Sequence, residues 1–220
     1  MKKTNIRLLV AASTAALSIA SVATPAAAGE PYATISVGSA SVETSNMGPL
    51  SPEGTVINIT AGDVLFDRNG FTVAIEAGAA FGKVEASDKR LTCDVPDCGY
   101  NEWLQETESV DGTISAGVRF AHPVGDFVLS GGVGIAVSRY TDSDHYTNDG
   151  GFPDYRWSDR EYAVGSYWDI GIAYPLNDDW AVIGRYSETD QVADQWSSTY
   201  GGNKDGVAIT SWSVGFGRVF

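Results

Sequence analysis

The stretch TSWSVGFGRVF, Thr210–Phe220, decides how the whole chain is read. Taken by twos, Trp212, Val214, Phe216, Arg218 and Phe220 form one set. Ser211, Ser213, Gly215, Gly217 and Val219 form the other. A period of two is the signature of a β-strand, whose successive side chains point to opposite faces. One face is bulky and mostly apolar, and the other is almost all small. A water-filled surroundings would push the large set inwards, but the small set offers water little. The pattern therefore expects hydrocarbon on the large face.

The same alternation recurs upstream. In 71–85, Phe71, Val73, Ile75, Ala77, Ala79 and Phe81 oppose Thr72, Ala74, Glu76, Gly78, Ala80 and Gly82. In 127–140, Phe127, Leu129, Val133, Ile135 and Val137 oppose Val128, Ser130, Gly132, Gly134, Ala136 and Ser138. In 160–174, Tyr162, Val164, Trp168, Ile170, Ile172 and Tyr174 oppose Ala163, Gly165, Tyr167, Asp169, Gly171 and Ala173. A soluble barrel needs apolar residues inside. A sandwich would carry long polar residues on its wet face, not glycines.

Three short turns, FDRNGF (66–71), FAHPVGDF (120–127) and YPLNDDW (174–180), carry turn-forming residues between flanking aromatics. Tyr32 and Phe220 place two more aromatics at the chain ends. An aromatic belt at one membrane–water interface predicts this arrangement. Long polar stretches, 43–55, 86–109, 141–159 and 188–205, lie between the short turns. Eight strands follow: 31–42, 56–66, 71–85, 110–120, 127–140, 160–174, 180–187 and 206–220. The expected fold is all-β: an eight-stranded antiparallel up-and-down transmembrane β-barrel, with short periplasmic turns and long extracellular loops. In the second strand Ile57 and Ile59 oppose Val64 and Phe66 in parity, so a bulge is expected near Gly62.

The N-terminus reads as an export signal. Lys2, Lys3 and Arg7 precede an apolar run over 8–22, and Ala26–Ala28 before Gly29 match a cleavage site between Ala28 and Gly29. Residues 1–28 are expected to be removed, leaving 29–220 as one barrel domain. The removed part holds three of the 14 basic residues and no acid, so the formal charge moves from −14 to −17. That acidity excludes nucleic acid as a partner. Downstream of residue 28 no apolar run approaches the ~20 residues of a spanning helix. Cys93 and Cys98, in CDVPDC, are expected to form a local disulfide in an oxidising compartment.

The small faces carry charges: Glu76, Arg119, Asp169, Arg185 and Asp63. With Tyr174 placed opposite Trp180, Asp169 falls directly opposite Arg185. Charges so far from water must pair. The expectation is a static plug of salt bridges, because eight strands enclose little more than their own side chains; a gate or narrow ion path is the alternative.

These features resemble the small eight-stranded outer-membrane proteins of Gram-negative bacteria, among them the OmpA transmembrane domain, OmpX and the neisserial opacity proteins. The resemblance spans residues 31–220. It implies that Trp212, Val214, Phe216 and Phe220 serve as the signal read by the barrel-assembly machinery, with Arg218 departing at a usually apolar position. No peptidoglycan-binding segment follows, so a cell-wall tether is not implied.

Catalysis finds little support. A lipid A-modifying barrel enzyme needs a nucleophile and a base. His122 sits in a turn before Pro123, His145 in a loop beside Ser143, and no G-x-S-x-G occurs. Asp142, Asp144, Asp149 and Asp154 lack the D-x-D-x-D-G register of a calcium loop, so no metal or cofactor site is assigned. The long loops mix acids with Tyr100, Trp103, Tyr155, Trp157, Trp196 and Tyr200, a composition suited to protein or glycan contact. The reading is a non-enzymatic outer-membrane protein with an envelope-structural and surface-contact role. Its expected partners are lipid, lipopolysaccharide and an extracellular protein or glycan. A small porin or gated solute channel is the runner-up.

Overall fold

The computed structural model describes residues 31–44, 53–93, 102–148, 154–194 and 204–219. They form eight strands: β1 (Pro31–Thr44), β2 (Glu53–Arg68), β3 (Phe71–Cys93), β4 (Glu102–Val124), β5 (Phe127–Asn148), β6 (Tyr155–Pro175), β7 (Trp180–Asp194) and β8 (Lys204–Val219). Each pairs antiparallel with the next, and β8 closes on β1. Closure leaves no unpaired edge around the barrel body, which is what a strand protein in hydrocarbon requires.

The three turns explain why the strands meet where they do. Asn69 and Gly70 both take positive φ, 55° and 76°, as a two-residue hairpin turn whose twist matches its strands demands. Gly125 (φ 62°) opens the second turn. In the third, Asn177 Oδ1 accepts from the backbone N–H groups of Asp179 and Trp180, and the N–H of Leu176 donates to the Trp180 carbonyl. This turn closes on Pro175 opposite Ala181. Tyr174 therefore faces Val182, and Asp169 faces Ser187, not Arg185.

The large set points out, as the alternation requires: Ile135 is 64% exposed and Trp212 60%. Phe66, Phe71, Phe120, Phe127, Tyr174 and Trp180 ring the short-turn end, with Phe71 stacked on Phe120 and Phe127 tilted on Tyr174. Arg218 stands opposite Trp180 with its guanidinium 5.5 Å from the indole centroid, a cation–π contact that suits an arginine at this belt.

Several expectations need correction. The bulge in β2 lies between Val64 and Phe66, not near Gly62. Val64 consequently turns inwards opposite the buried Ala74, and Leu65 and Phe66 take the outer surface. Strands β3 to β6 run well beyond their expected ends, so much of 86–109 and 141–159 is paired strand: Leu91 faces Trp103, and Tyr146 faces Tyr155. The signal segment with Ala28 and Gly29, Cys98 of the expected disulfide, Asp149 and Phe220 lie outside the described residues.

Candidate functional site

The inward positions build the lumen from three layers. The lowest is ionic. Glu76 and Arg119 are diagonal neighbours across β3 and β4, because Ala74 pairs with Arg119 and Glu76 with Gly117. Asp169 and Arg185 are diagonal neighbours across β6 and β7, because Gly171 pairs with Arg185. The two pairs face each other across the barrel and interlock. Arg119 donates from Nε to Glu76 Oε2 at 2.8 Å and from Nη2 to Oε1 at 2.9 Å. The same Nη2 reaches Asp169 Oδ2 at 2.8 Å, and Nη1 donates to Ser130 Oγ at 3.1 Å. Arg185 donates from Nη1 to Glu76 Oε1 at 3.1 Å, while its Nε lies 4.0 Å from Asp169 Oδ1. Two cations and two anions cancel.

Burial makes this pairing obligatory. The Glu76 and Asp169 side chains are 4% and 2% exposed, and Arg119 only 9%. A carboxylate so deprived of water is tolerated only with its charge matched; Glu76 has both oxygens hydrogen-bonded, whereas Asp169 Oδ1 accepts no hydrogen bond and has Arg185 Nε at 4.0 Å. Glycines make the room. A Cβ on Gly132 would come within 2.5 Å of Asp169 Oδ2 and 3.3 Å of Arg119 Nη2. One on Gly117 would lie 2.7 Å from Tyr167 Oη.

Tyr32 joins the same layer. Expected at the aromatic belt, it instead turns inwards and donates its hydroxyl to Glu76 Oε2 at 2.9 Å. Its parity on β1, with Thr34 and Ser36 inside, decides this. Asp63 is the opposite correction. It stands opposite Pro31 and Ile75, on the outward parity of Ile57, Ile59 and Ala61, and so does not belong to the luminal network. The bulge lies beyond it and cannot turn it back inwards.

Above the ions is a chamber of about 100 Å³, lined by Asn58, Thr60, Ser115, Tyr167, Ser187, Ser211 and Ser213 among others. A water needs about 10–15 Å³ of such space. The third layer is mostly apolar, with Gln191 buried opposite Val207 and Ser138 opposite Ala163. Val42, Val56, Val84, Val110, Tyr140, Val207 and Ile209 converge in one buried cluster, and Tyr140 is 1% exposed. Sequence reasoning missed this collar. Its residues lie at or near the upper ends of the expected strands, and Val110 reaches the inside only because the register shift between Val110 and Gly112 reverses the parity of β4.

The arrangement can exclude solutes; among the described residues it holds no nucleophile–base pair. His145 Nε2 lies 3.8 Å from Asp154 Oδ2, away from the lumen, and His122 is exposed near the lower end of β4, opposite Leu129, and not in the turn. No group of metal-ligating side chains occurs among the described residues.

The family model for the outer membrane protein beta-barrel domain matches residues 12–220. Solved structures that resemble the chain include neisserial surface protein A, at 14% identity over 86% of this chain and 97% of that one, with a TM-score of 0.49. Ail, the attachment invasion locus protein of Yersinia pestis, solved with the heparin analogue sucrose octasulfate, has 14% identity over 87% and 99%, TM-score 0.42. The outer membrane protein OprG from Pseudomonas aeruginosa has 12% identity over 88% and 96%, TM-score 0.45. No curated protein matches the sequence.

Proposed function

The chain belongs to the outer membrane protein beta-barrel domain family, and from that premise we propose that it is a sealed, non-enzymatic barrel of a Gram-negative outer membrane. Its role is to display a rigid sheet for surface contact. The observation that carries this reading is the unequal height of the strands. Past the buried collar, β3, β4, β5 and β6 continue for eight or nine residues, to Cys93, Glu102, Asn148 and Tyr155. Strands β1, β2 and β8 stop within two or three. At ~3.3 Å per residue the four long strands extend about 26 Å further. They stay in register, with Gln105 opposite His145 and His145 opposite Arg156. Preformed strands lose little entropy on binding, which favours contact surfaces of this kind.

The double seal supports a non-conducting lumen, since charge pairs and collar stand in series along it. Planar-bilayer recording tests this half of the reading. No unitary current is expected, and a reproducible single-channel step would replace the reading with a narrow channel. The other half is tested by exchanging 86–107 and 142–158 for short turns. Cells displaying the shortened barrel should lose adherence to immobilised matrix proteins or glycans that the full chain supports. Equal adherence of both forms would remove the contact role.

A further inference from the structure

One side chain of the collar does not match its surroundings. Gln191 is 0% exposed, and neither its Nε2 nor its Oε1 has a hydrogen-bond partner among the described residues. A primary amide offers two donors and two acceptor lone pairs. Buried polar groups of this kind bond to protein or to ordered water. A second group is in the same position at the floor of the chamber: Asp169 Oδ1 is buried and accepts no hydrogen bond among the described residues.

The two groups lie along one wall. Every inward position of β7 from the ionic layer to the collar is polar: Arg185, Ser187, Thr189 and Gln191. Across the pairing with β6, Asp169 faces Ser187, Tyr167 faces Thr189, and Gly165 faces Gln191. Asp169, Ser187, Tyr167 and Thr189 line the chamber, and Gln191 is the next inward residue above Thr189. Beside it β6 brings only Gly165 and Ala163 inwards. On the far side of Ala163 stands Ser138, whose hydroxyl shares a 2.7 Å hydrogen bond with Thr113 of the chamber lining. The rest of the collar is aliphatic apart from Tyr140. Its polar break therefore sits over the β6–β7 wall. Ser187 and Gln191 are about 13 Å apart along β7, a span that about four hydrogen-bonded waters cover.

We propose that a file of water molecules threads the collar at Gln191 and continues down the β6–β7 wall to Asp169 Oδ1. The chamber is then a hydrated compartment that exchanges water with the side of the raised strands and keeps solutes out. Water fits both ends, since it can donate and accept at the amide and donate to the carboxylate oxygen. It also brings no charge to an ionic layer whose cations and anions already cancel. The file ends on that layer, so ions do not cross. The inference rests on the sealed reading of the barrel and adds what the seal admits.

The test uses the purified, methyl-labelled barrel in detergent micelles, with water-to-methyl NOEs as the readout. Contacts to Thr189 and Ala163 report the collar, and contacts to Thr60 and Ala136 report the chamber. The wild type should show both sets. Gln191→Met keeps the length of the side chain without its amide. It should lose the collar contacts and slow exchange of chamber water with bulk about tenfold or more, as read by oxygen-17 relaxation dispersion. Asp190→Asn, on the outward parity beside it, should change neither. Heat-modifiable migration checks folding of each variant. If Gln191→Met does not fold, the wild type decides alone: no water contact at Thr189 and Ala163 overturns the file. Unchanged contacts and exchange in folded Gln191→Met would overturn it as well, and so would equal changes in Asp190→Asn. A single-channel current in the bilayer would overturn the sealed reading and leave these NOEs as they are, so the two failures are told apart.

Discussion

Arg119 grips Glu76 through two parallel hydrogen bonds, Nε to Oε2 at 2.8 Å and Nη2 to Oε1 at 2.9 Å, in the middle of the barrel. The other charges of this ionic layer are arranged around that pair. Arg185 and Tyr32 also bond to Glu76, and Asp169 bonds to Arg119.

Removing the hub should therefore cost more than removing its neighbour. Arg119→Met leaves two buried carboxylates with one remaining cation and is expected to destabilise the barrel by about 3–5 kcal/mol. Arg185→Met should cost less, because Arg185 is 17% exposed and Glu76 keeps its two-pronged partner. Urea unfolding in lipid vesicles, followed by tryptophan fluorescence, ranks the two. The reverse order would show that Glu76 depends mainly on Arg185.

Space beside the cluster is as necessary as charge. Gly132→Val would drive a side chain into Asp169 and Arg119, and overpacking of this kind costs about 1–3 kcal/mol. Gly131→Val, where a Cβ meets only the Asp169 carbonyl at 3.5 Å, should be milder. Comparable urea midpoints for the two variants would argue against the close fit.

The collar should act as the extracellular seal of the chamber. Tyr140→Ala removes its largest side chain, at a cost of about 3–5 kcal/mol by analogy with other aromatic truncations. Ser213 lines the chamber and is 4% exposed. A Ser213→Cys probe should resist a water-soluble maleimide in the parent barrel and react once Tyr140 is truncated. Rapid labelling in both backgrounds would mean that the collar does not close the lumen.

Asp63 offers a test of opposite sign. It stands on the outward parity, and its Oδ1 is buried without a hydrogen-bond partner among the described residues. Asp63→Val should leave stability unchanged or raise it by up to about 1 kcal/mol near the interface. A marked loss in the urea midpoint would reveal a partner essential to Asp63.

Strand count, topology and the solvent of each face were all readable from the residues. They depend on local rules: the period of two in 127–140, Asn69-Gly70 as a hairpin turn, aromatics flanking each short connection. The luminal residues Glu76, Arg119, Asp169 and Arg185 followed from the same parity. Their partners did not. The expected pairing of Asp169 with Arg185 assumed a turn two positions shorter than the one Asn177 organises. Asp63 was assigned to the wrong side because the bulge was placed before it instead of after it. Tyr32 was read by its residue type when its parity on β1 was the better guide.

By itself, then, the order of residues determined that this chain closes eight strands in hydrocarbon with a small-residue, charge-bearing interior. Each side chain's face is a property of its own backbone. Only the closed tertiary structure decided that Glu76 serves two arginines from different strands, and that a collar from widely separated strands caps the chamber. It also decided that four strands rise above the rest. Those distances depend on how each strand is offset against the next around the ring, and that offset accumulates through every turn and bulge before the last strand meets the first.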